Sequence, residues 1–242
     1  MFVLSKIVSV ISERFAIAKE GAHIVLLMTA ATIVIWCAAA AVNSKILLCG
    51  AVLLTIITGG VSFLFRNPRR AARDLTDLDI ISPADGKIVS IIPVTESGFL
   101  KKEALRISIF LSLLDVHANW IPVSGVIKYK KKSAGKFLPA FLDNASIRNK
   151  CVSIGIECND GFRMTLVQIT GFVARRIKCH PELGQRVDRG TRYGMIYLGS
   201  RVDIFVPRDT SLTVREGDRV YGGITVIGQK HDSHAKNKTS HS

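Results

Sequence analysis

Two apolar runs, Ile24 to Val42 and Ile46 to Phe65, contain no charged residue and are separated only by Asn43-Ser44-Lys45. Each is close to the roughly 20 residues a helix needs to cross hydrocarbon. So short a gap demands a tight helical hairpin, which puts both chain ends on one side of a bilayer. A secretory leader would give way to a small-residue cleavage site and a polar mature chain, whereas here a second apolar run follows. Arg66, Arg69, Arg70 and Arg73 come directly after the second run, and Lys6, Arg14 and Lys19 precede the first. The tendency of basic flanks to stay inside predicts a cell (inner) membrane protein whose remaining chain faces the cytoplasm.

The net charge of +14 and pI near 9.9 would also suit a nucleic-acid binder. No nucleic-acid motif accompanies the charge. An anionic lipid surface attracts juxtamembrane Lys and Arg by about 1 kcal/mol each, so it accounts for the charge and the anchor together. Lys130, Lys131 and Lys132 read as a membrane-facing basic patch or as a solvated loop. The five cysteines are Cys37, Cys49, Cys151, Cys158 and Cys179, with no CxxC spacing, a pattern of reduced thiols and no metal site. Cys179-His180 is assigned no role.

Residues 1–21 carry a loose amphipathic pattern, with Val3, Leu4, Ile7, Val8, Ile11 and Phe15 at helical spacing. After Arg66-Asn67-Pro68 the pattern changes to short alternating segments such as Gly86-KIVSIIPV, Leu105-RISIFLSL, Val152-SIGIEC and Phe162-RMTLVQIT, bounded by Gly, Pro and Asp. This predicts a mostly β domain with few helices, of which Lys136 to Lys150 is the best candidate. Gly184-QRVDRGTRYGMIYLG and Gly217-DRVYGGITVIG share a G-x-x-V-x-x-G pattern, as in the hairpins of barrel-sandwich domains of the lipoyl and biotinyl type. A non-enzymatic carrier of that class would show its acceptor lysine at a hairpin tip, and no such context is visible. From Lys230 onward the composition predicts a disordered tail.

The stretch Tyr193-GMIYLGSRVDIFVP places Ser200 directly after Gly199 between two strand-like segments. With SPADG at 82–86, RISIFLSLLDVHANWIPVSG at 106–125, GKF at 135–137 and QITGFVARRIKC at 168–179, it resembles the short-form phosphatidylserine decarboxylases. That resemblance implies a proenzyme that cuts itself between Gly199 and Ser200. The products would be a β chain of residues 1–199 and an α chain of residues 200–242 that stay together as a heterodimer or a higher oligomer. The apolar runs predict a membrane anchor over residues 1–66, and the resemblance, which covers almost everything after it, implies a catalytic domain over 67–242. Ser200 would become a pyruvoyl cofactor that forms a Schiff base with phosphatidylserine, and the product would be phosphatidylethanolamine. Another serine-headed phospholipid would present the same headgroup chemistry.

Decarboxylating an α-amino acid needs an electron sink, and no side chain is one. Pyridoxal phosphate would need a Schiff-base lysine, a phosphate cradle and usually a larger fold. Making the carbonyl from the chain's own serine removes that need. A serine hydroxyl needs a base, and the base an orienting partner. His117 and Asp85 match the family's His and Asp, which implies an Asp-His-Ser set for acyl transfer. Long-form members carry L-G-S-T and a second histidine, where this chain has Arg201 and Leu114. Arg175 and Arg176, then Arg201, are the candidate phosphate ligands, because guanidinium binds oxyanions bidentately.

Overall fold

The computed structural model describes residues 17–70, 72, 74–138, 149–171, 176–197 and 199–231. The chain divides into two compact units, Met1–Arg69 and Arg70–Ser242. In the first, helix α1 spans Lys19–Val42 and α2 spans Lys45–Leu64, so both begin before the charge-free runs do. Asn43 turns the chain in the left-handed region at φ 51°, and Ser44 caps α2 by accepting the Leu47 N–H at 3.5 Å. Small side chains line the seam: Val25, Thr32 and Ala39 recur every seven residues, as do Ala51 and Thr58. The hydroxyls of Thr32 and Thr58 lie 3.0 Å apart across it, and Trp36 Nε1 donates to Thr55 Oγ1 at 3.0 Å. Small residues and polar glue are how helices associate where no hydrophobic effect separates them from lipid. The outward faces stay apolar, with Leu27 70% and Ile56 67% exposed. Both helices are long and apolar enough to cross a membrane. Of the amphipathic segment, residues 1–16 lie outside the described residues.

The second unit is built of strands, as the alternation predicts. They are β1 (Asp79–Ile81), β2 (Gly86–Glu96), β3 (Lys102–Leu111), β4 (Ala118–Trp120), β5 (Gly125–Ser133), β6 (Cys151–Glu157) and β7 (Arg163–Ile169), followed by β8 (Ile177–Cys179), β9 (Arg186–Val187), β10 (Arg192–Ile196), β11 (Ser200–Pro207), β12 (Ser211–Leu212), β13 (Arg219–Val220) and β14 (Val226–Gln229). Eight form one sheet in the order β13-β2-β3-β11-β7-β6-β5-β9. Its inward residues, among them Ile88, Ile109, Ile127, Ile154, Leu166 and Val202, make a single apolar core. Two three-stranded sheets, β1-β14-β12 and β4-β10-β8, complete the unit.

The internal repeat is structural. Val220 pairs with Gly86 at one edge of the large sheet and Val187 pairs with Gly125 at the other. The flanking hydrogen bonds correspond: Gly217 N–H to Ile88 O and Gly184 N–H to Ile127 O, then Gly223 N–H to Ser82 O and Gly190 N–H to Ile121 O, all 2.8 Å. Ser82-Pro-Ala-Asp-Gly86 is thus the counterpart of Ile121-Pro-Val-Ser-Gly125. Of the expected helix at Lys136 to Lys150, residues 139–148 lie outside the described residues, and Lys136 bridges Asn149 instead. Lys230, where the composition places the start of the tail, is part of the folded unit. Lys230 is buried, donating its backbone N–H to Leu78 O at 2.8 Å and pairing with Asp160 at 2.5 Å. Residues 232–242 lie outside the described residues.

Candidate active site

Ser200 opens β11, a central strand bonded to β3 on one side and β7 on the other. Side chains alternate along a strand, so Ser200 shares the inward face with Val202, Ile204 and Val206, all in the core. It is fully buried, and its Oγ has no hydrogen-bond partner among the described residues. A buried hydroxyl left unpaired costs about 1–3 kcal/mol, and a catalytic role is one of the explanations such a group can have. Gly199 precedes it at φ 67°, the left-handed region that side-chain-bearing residues avoid.

His117 brackets this turn. Its carbonyl accepts the Ile196 N–H at 3.1 Å as β10 ends, and its Nε2 accepts the Gly199 N–H at 3.3 Å where the chain returns. Its Nδ1 lies 2.7 Å from the carbonyl oxygen of Asp115. A carbonyl can only accept, so Nδ1 carries the proton and Nε2 presents its lone pair to the Gly199-Ser200 segment. The ring is fully buried. The Asp115 side chain in turn locks the turn before it, accepting from Ser112 N–H at 2.8 Å and Ser112 Oγ at 2.7 Å and pairing with Arg219.

Asp85 is held elsewhere. Its carboxylate makes a two-pronged ion pair with Arg70, with Nη2 2.8 Å from Oδ2, and accepts the Gly222 N–H at 2.8 Å. Arg70 also donates to Gly222 O at 2.8 Å and lies over the Trp120 ring at 4.6 Å. The two loops are tied through the Trp120 N–H, which donates to Pro83 O at 2.9 Å. The structure therefore brings Ser200, Gly199 and His117 together, orients His117 by a backbone carbonyl, and gives Asp85 to Arg70. Arg70 is thus no free member of the basic flank: its side chain is 9% exposed and ion-paired.

Arg201 does not reach a phosphate. It lies on the sheet face opposite Ser200, fully buried, with Nε 2.5 Å from Asp203 Oδ1 and Nη2 2.6 Å from Ser108 Oγ. Arg175 lies outside the described residues. Arg176 is exposed, and its carbonyl accepts the Tyr197 N–H at 3.2 Å, three residues before Ser200. Lys130 pairs with Glu182 at 2.8 Å, while Lys131 and Lys132 are exposed. Burial pushes the Cys179 thiol up to about 11, which leaves it a poor nucleophile. No group of three or more His, Cys, Asp or Glu able to hold a metal occurs among the described residues.

Asp115 and Arg70 are the residues that sequence reasoning passed over. The spacing Ser112-Leu-Leu-Asp115 is a side-chain-capped turn that could have pointed to the first. Nothing local distinguishes Arg70 from its basic neighbours.

A sequence model described as phosphatidylserine decarboxylase matches residues 61–228. The phosphatidylserine decarboxylase proenzyme of Carboxydothermus hydrogenoformans is 48% identical over 170 residues, covering 70% of this chain and 79% of the relative. That of Syntrophotalea carbinolica is 42% identical over 167 residues, covering 69% and 78%. The proenzyme of Geotalea uraniireducens is 36% identical over 217 residues, covering 90% of this chain and 98% of its own. On the match of more than half its length and on these relatives, the chain belongs to the phosphatidylserine decarboxylase family.

Proposed function

We propose that this chain converts phosphatidylserine to phosphatidylethanolamine and CO2, using a pyruvoyl group made from its own Ser200. The observation that carries this reading is the buried, unpartnered Ser200 hydroxyl beside a left-handed Gly199 whose N–H is bonded to His117 Nε2. That orphaned oxygen, a glycine carbonyl open to attack and a neutral imidazole fit residues that make such a group.

In the self-cleavage, Ser200 Oγ attacks the Gly199 carbonyl carbon while its proton passes to His117 Nε2. The bond from that carbon to the residue 200 nitrogen breaks and the nitrogen takes up the proton, which leaves an ester. Loss of the Cα proton of residue 200 then expels the Gly199 carboxylate, frees chain 1–199 and leaves dehydroalanine. Its tautomer takes up water and loses ammonia, so that the second chain begins with pyruvoyl on the nitrogen of Arg201. That carbonyl supplies the sink for the electron pair of the C–CO2 bond. The pairing of β11 between β3 and β7 keeps the two chains associated after the cut.

His117 stays beside residue 200 to hold or return a proton in the later steps. Arg176, exposed beside Tyr197, is the remaining described candidate for the headgroup phosphate, together with Arg175. Asp85 acts with Arg70 as a charged support of the loop beside β4 rather than as the direct partner of His117. The basic flanks of α1 and α2 support an inner-membrane anchor with the catalytic unit on the cytoplasmic side.

The test is an intact-mass measurement followed by an assay. Two chains ending at Gly199 and beginning at a pyruvoyl-modified residue 200, with CO2 released from phosphatidylserine in the absence of pyridoxal phosphate, are expected. An active preparation consisting of the uncut chain would overturn the reading.

A further inference from the structure

The turn between β3 and β4 shows two leucines to solvent. Leu113 is 50% exposed and Leu114 70%. The turn is rigid: the Asp115 N–H donates to Ser112 O at 3.2 Å, the Asp115 carboxylate takes both donors of Ser112, and Arg219 pairs with that carboxylate. An apolar tip held this firmly has no freedom to fold back onto the core. Its surroundings are cationic and aromatic. Arg219 pairs in register with Lys87, which is exposed, and Tyr221, also bonded to Arg219, is 47% exposed. A methyl placed on Gly199 would lie 3.7 Å from Leu113 Cδ2, so the tip adjoins the bond to be cut. The Asp115 whose side chain locks the turn also orients His117 through its carbonyl.

Apolar side chains bordered by tyrosine and by cations match the layered chemistry of a bilayer surface, where tails, the interface and anionic headgroups follow one another. We propose that the Leu113–Leu114 turn is a bilayer-docking tip. It inserts among the lipids with Lys87 and Arg219 at the anionic headgroup level, and so delivers the lipid headgroup directly to residue 200. This rests on the reading of phosphatidylserine as substrate, because a lipid's headgroup lies at the surface and its α-carbon must reach a buried residue. The occupant is an anionic bilayer. A protein partner or a second copy of the chain would have no use for a tip whose neighbours reproduce an interfacial layer.

The full chain, reconstituted through its own hairpin into vesicles of phosphatidylserine in phosphatidylcholine, tests the proposal. Leu114→Ser is expected to raise the mole fraction of phosphatidylserine needed for half-maximal rate about tenfold, at unchanged kcat. Its self-cleavage and its rate on monomeric short-chain phosphatidylserine should match wild type. Lys87→Gln should raise the same mole fraction about fivefold at low salt, and less at high salt. Leu114→Trp should add an emission that brominated acyl chains quench. The proposal is overturned if Leu114→Ser matches wild type on vesicles, if it loses rate equally on both substrates, or if the added emission goes unquenched. Concentration-dependent quenching by a second copy in place of lipid overturns it as well. If wild type decarboxylates neither form of the lipid, the substrate reading has failed, and quenching in phosphatidylglycerol vesicles still decides whether the tip docks.

Discussion

Arg201 and Asp203, two residues apart on β11, form a fully buried ion pair at 2.5 Å on the sheet face opposite Ser200. Residue 201 would be the first ordinary residue of the cleaved α chain, with the modified residue attached to its nitrogen. The pair and its bond to Ser108 of β3 pin that strand at the point where the backbone would be cut.

Removing one partner of a buried pair strands the other charge and costs about 3–5 kcal/mol, whereas replacing both by apolar residues is often close to neutral. Arg201→Met alone should therefore lower the urea midpoint sharply, and Arg201→Met with Asp203→Leu should recover most of the loss. Equal midpoints for the single and double variants would show that a stranded Asp203 charge is not what destabilises the single variant.

Ser200→Ala should leave one uncut chain that folds at least as well as any other uncut form, because the hydroxyl it removes has no hydrogen-bond partner among the described residues. His117→Ala should also stay uncut, yet it loses the bonds to Gly199 and Asp115, about 1 kcal/mol each. Thermal melting of the two precursors separates them, with the Ser200→Ala chain melting several degrees higher. The reverse order would show that the Ser200 hydroxyl is paired in solution.

Much of this was legible in the chain. Alternation over Leu105 to Leu113 and Phe162 to Thr170 identifies strands because period two is a local property. The G-x-x-V-x-x-G repeat marks two equivalent edges of the sheet. Gly199, Ser200 and His117 stand out through their flanking motifs. That Arg201 faces away from Ser200 is implicit in the same alternation, but its burial on that face, against Asp203 and Ser108, is not. What the sequence hides is partner choice. Arg70 reads as one more arginine beside an apolar run, and only the three-dimensional approach of residues 70, 85, 120 and 222 reveals its ion pair. Likewise the local Asp115 carbonyl, 2.7 Å from His117 Nδ1, is a contact that no sequence motif announces.

Cys179 supplies a test by pH. Burial holds its thiol up at about 11, so at pH 8 roughly 0.1% is thiolate, against about a quarter for an ordinary thiol near 8.5. Alkylation by iodoacetamide at pH 8 should be about 200-fold slower than for an unhindered thiol and should rise about tenfold per pH unit up to pH 10. Cys179→Ser should retain full self-cleavage. Rapid alkylation at pH 8 would show that the Cys179 thiol is not held up by burial.

Asp85 combines two roles that its pseudo-symmetric counterpart separates. Ser124 Oγ accepts the Arg189 N–H at 2.9 Å, as Asp85 Oδ1 accepts the Gly222 N–H at 2.8 Å in the equivalent turn. A serine therefore suffices for the turn, and the carboxylate at 85 adds the negative charge that holds Arg70 over Trp120. Asp85→Ser should keep the turn's hydrogen bond but strand the buried Arg70 charge, so it should lose about 3–5 kcal/mol and cleave at least tenfold more slowly, because Arg70 then loses its counter-charge beside the loop that bonds β4. Asp85→Ala should cleave as slowly and lose about 1 kcal/mol more with the turn's hydrogen bond. Arg70→Met should resemble Asp85→Ser in cleavage rate, and joining the two should slow cleavage little further, since partners in one interaction are not additive. Should Asp85→Ser cleave at the wild-type rate, the carboxylate serves only the turn, and self-cleavage depends on His117 and Ser200 without it.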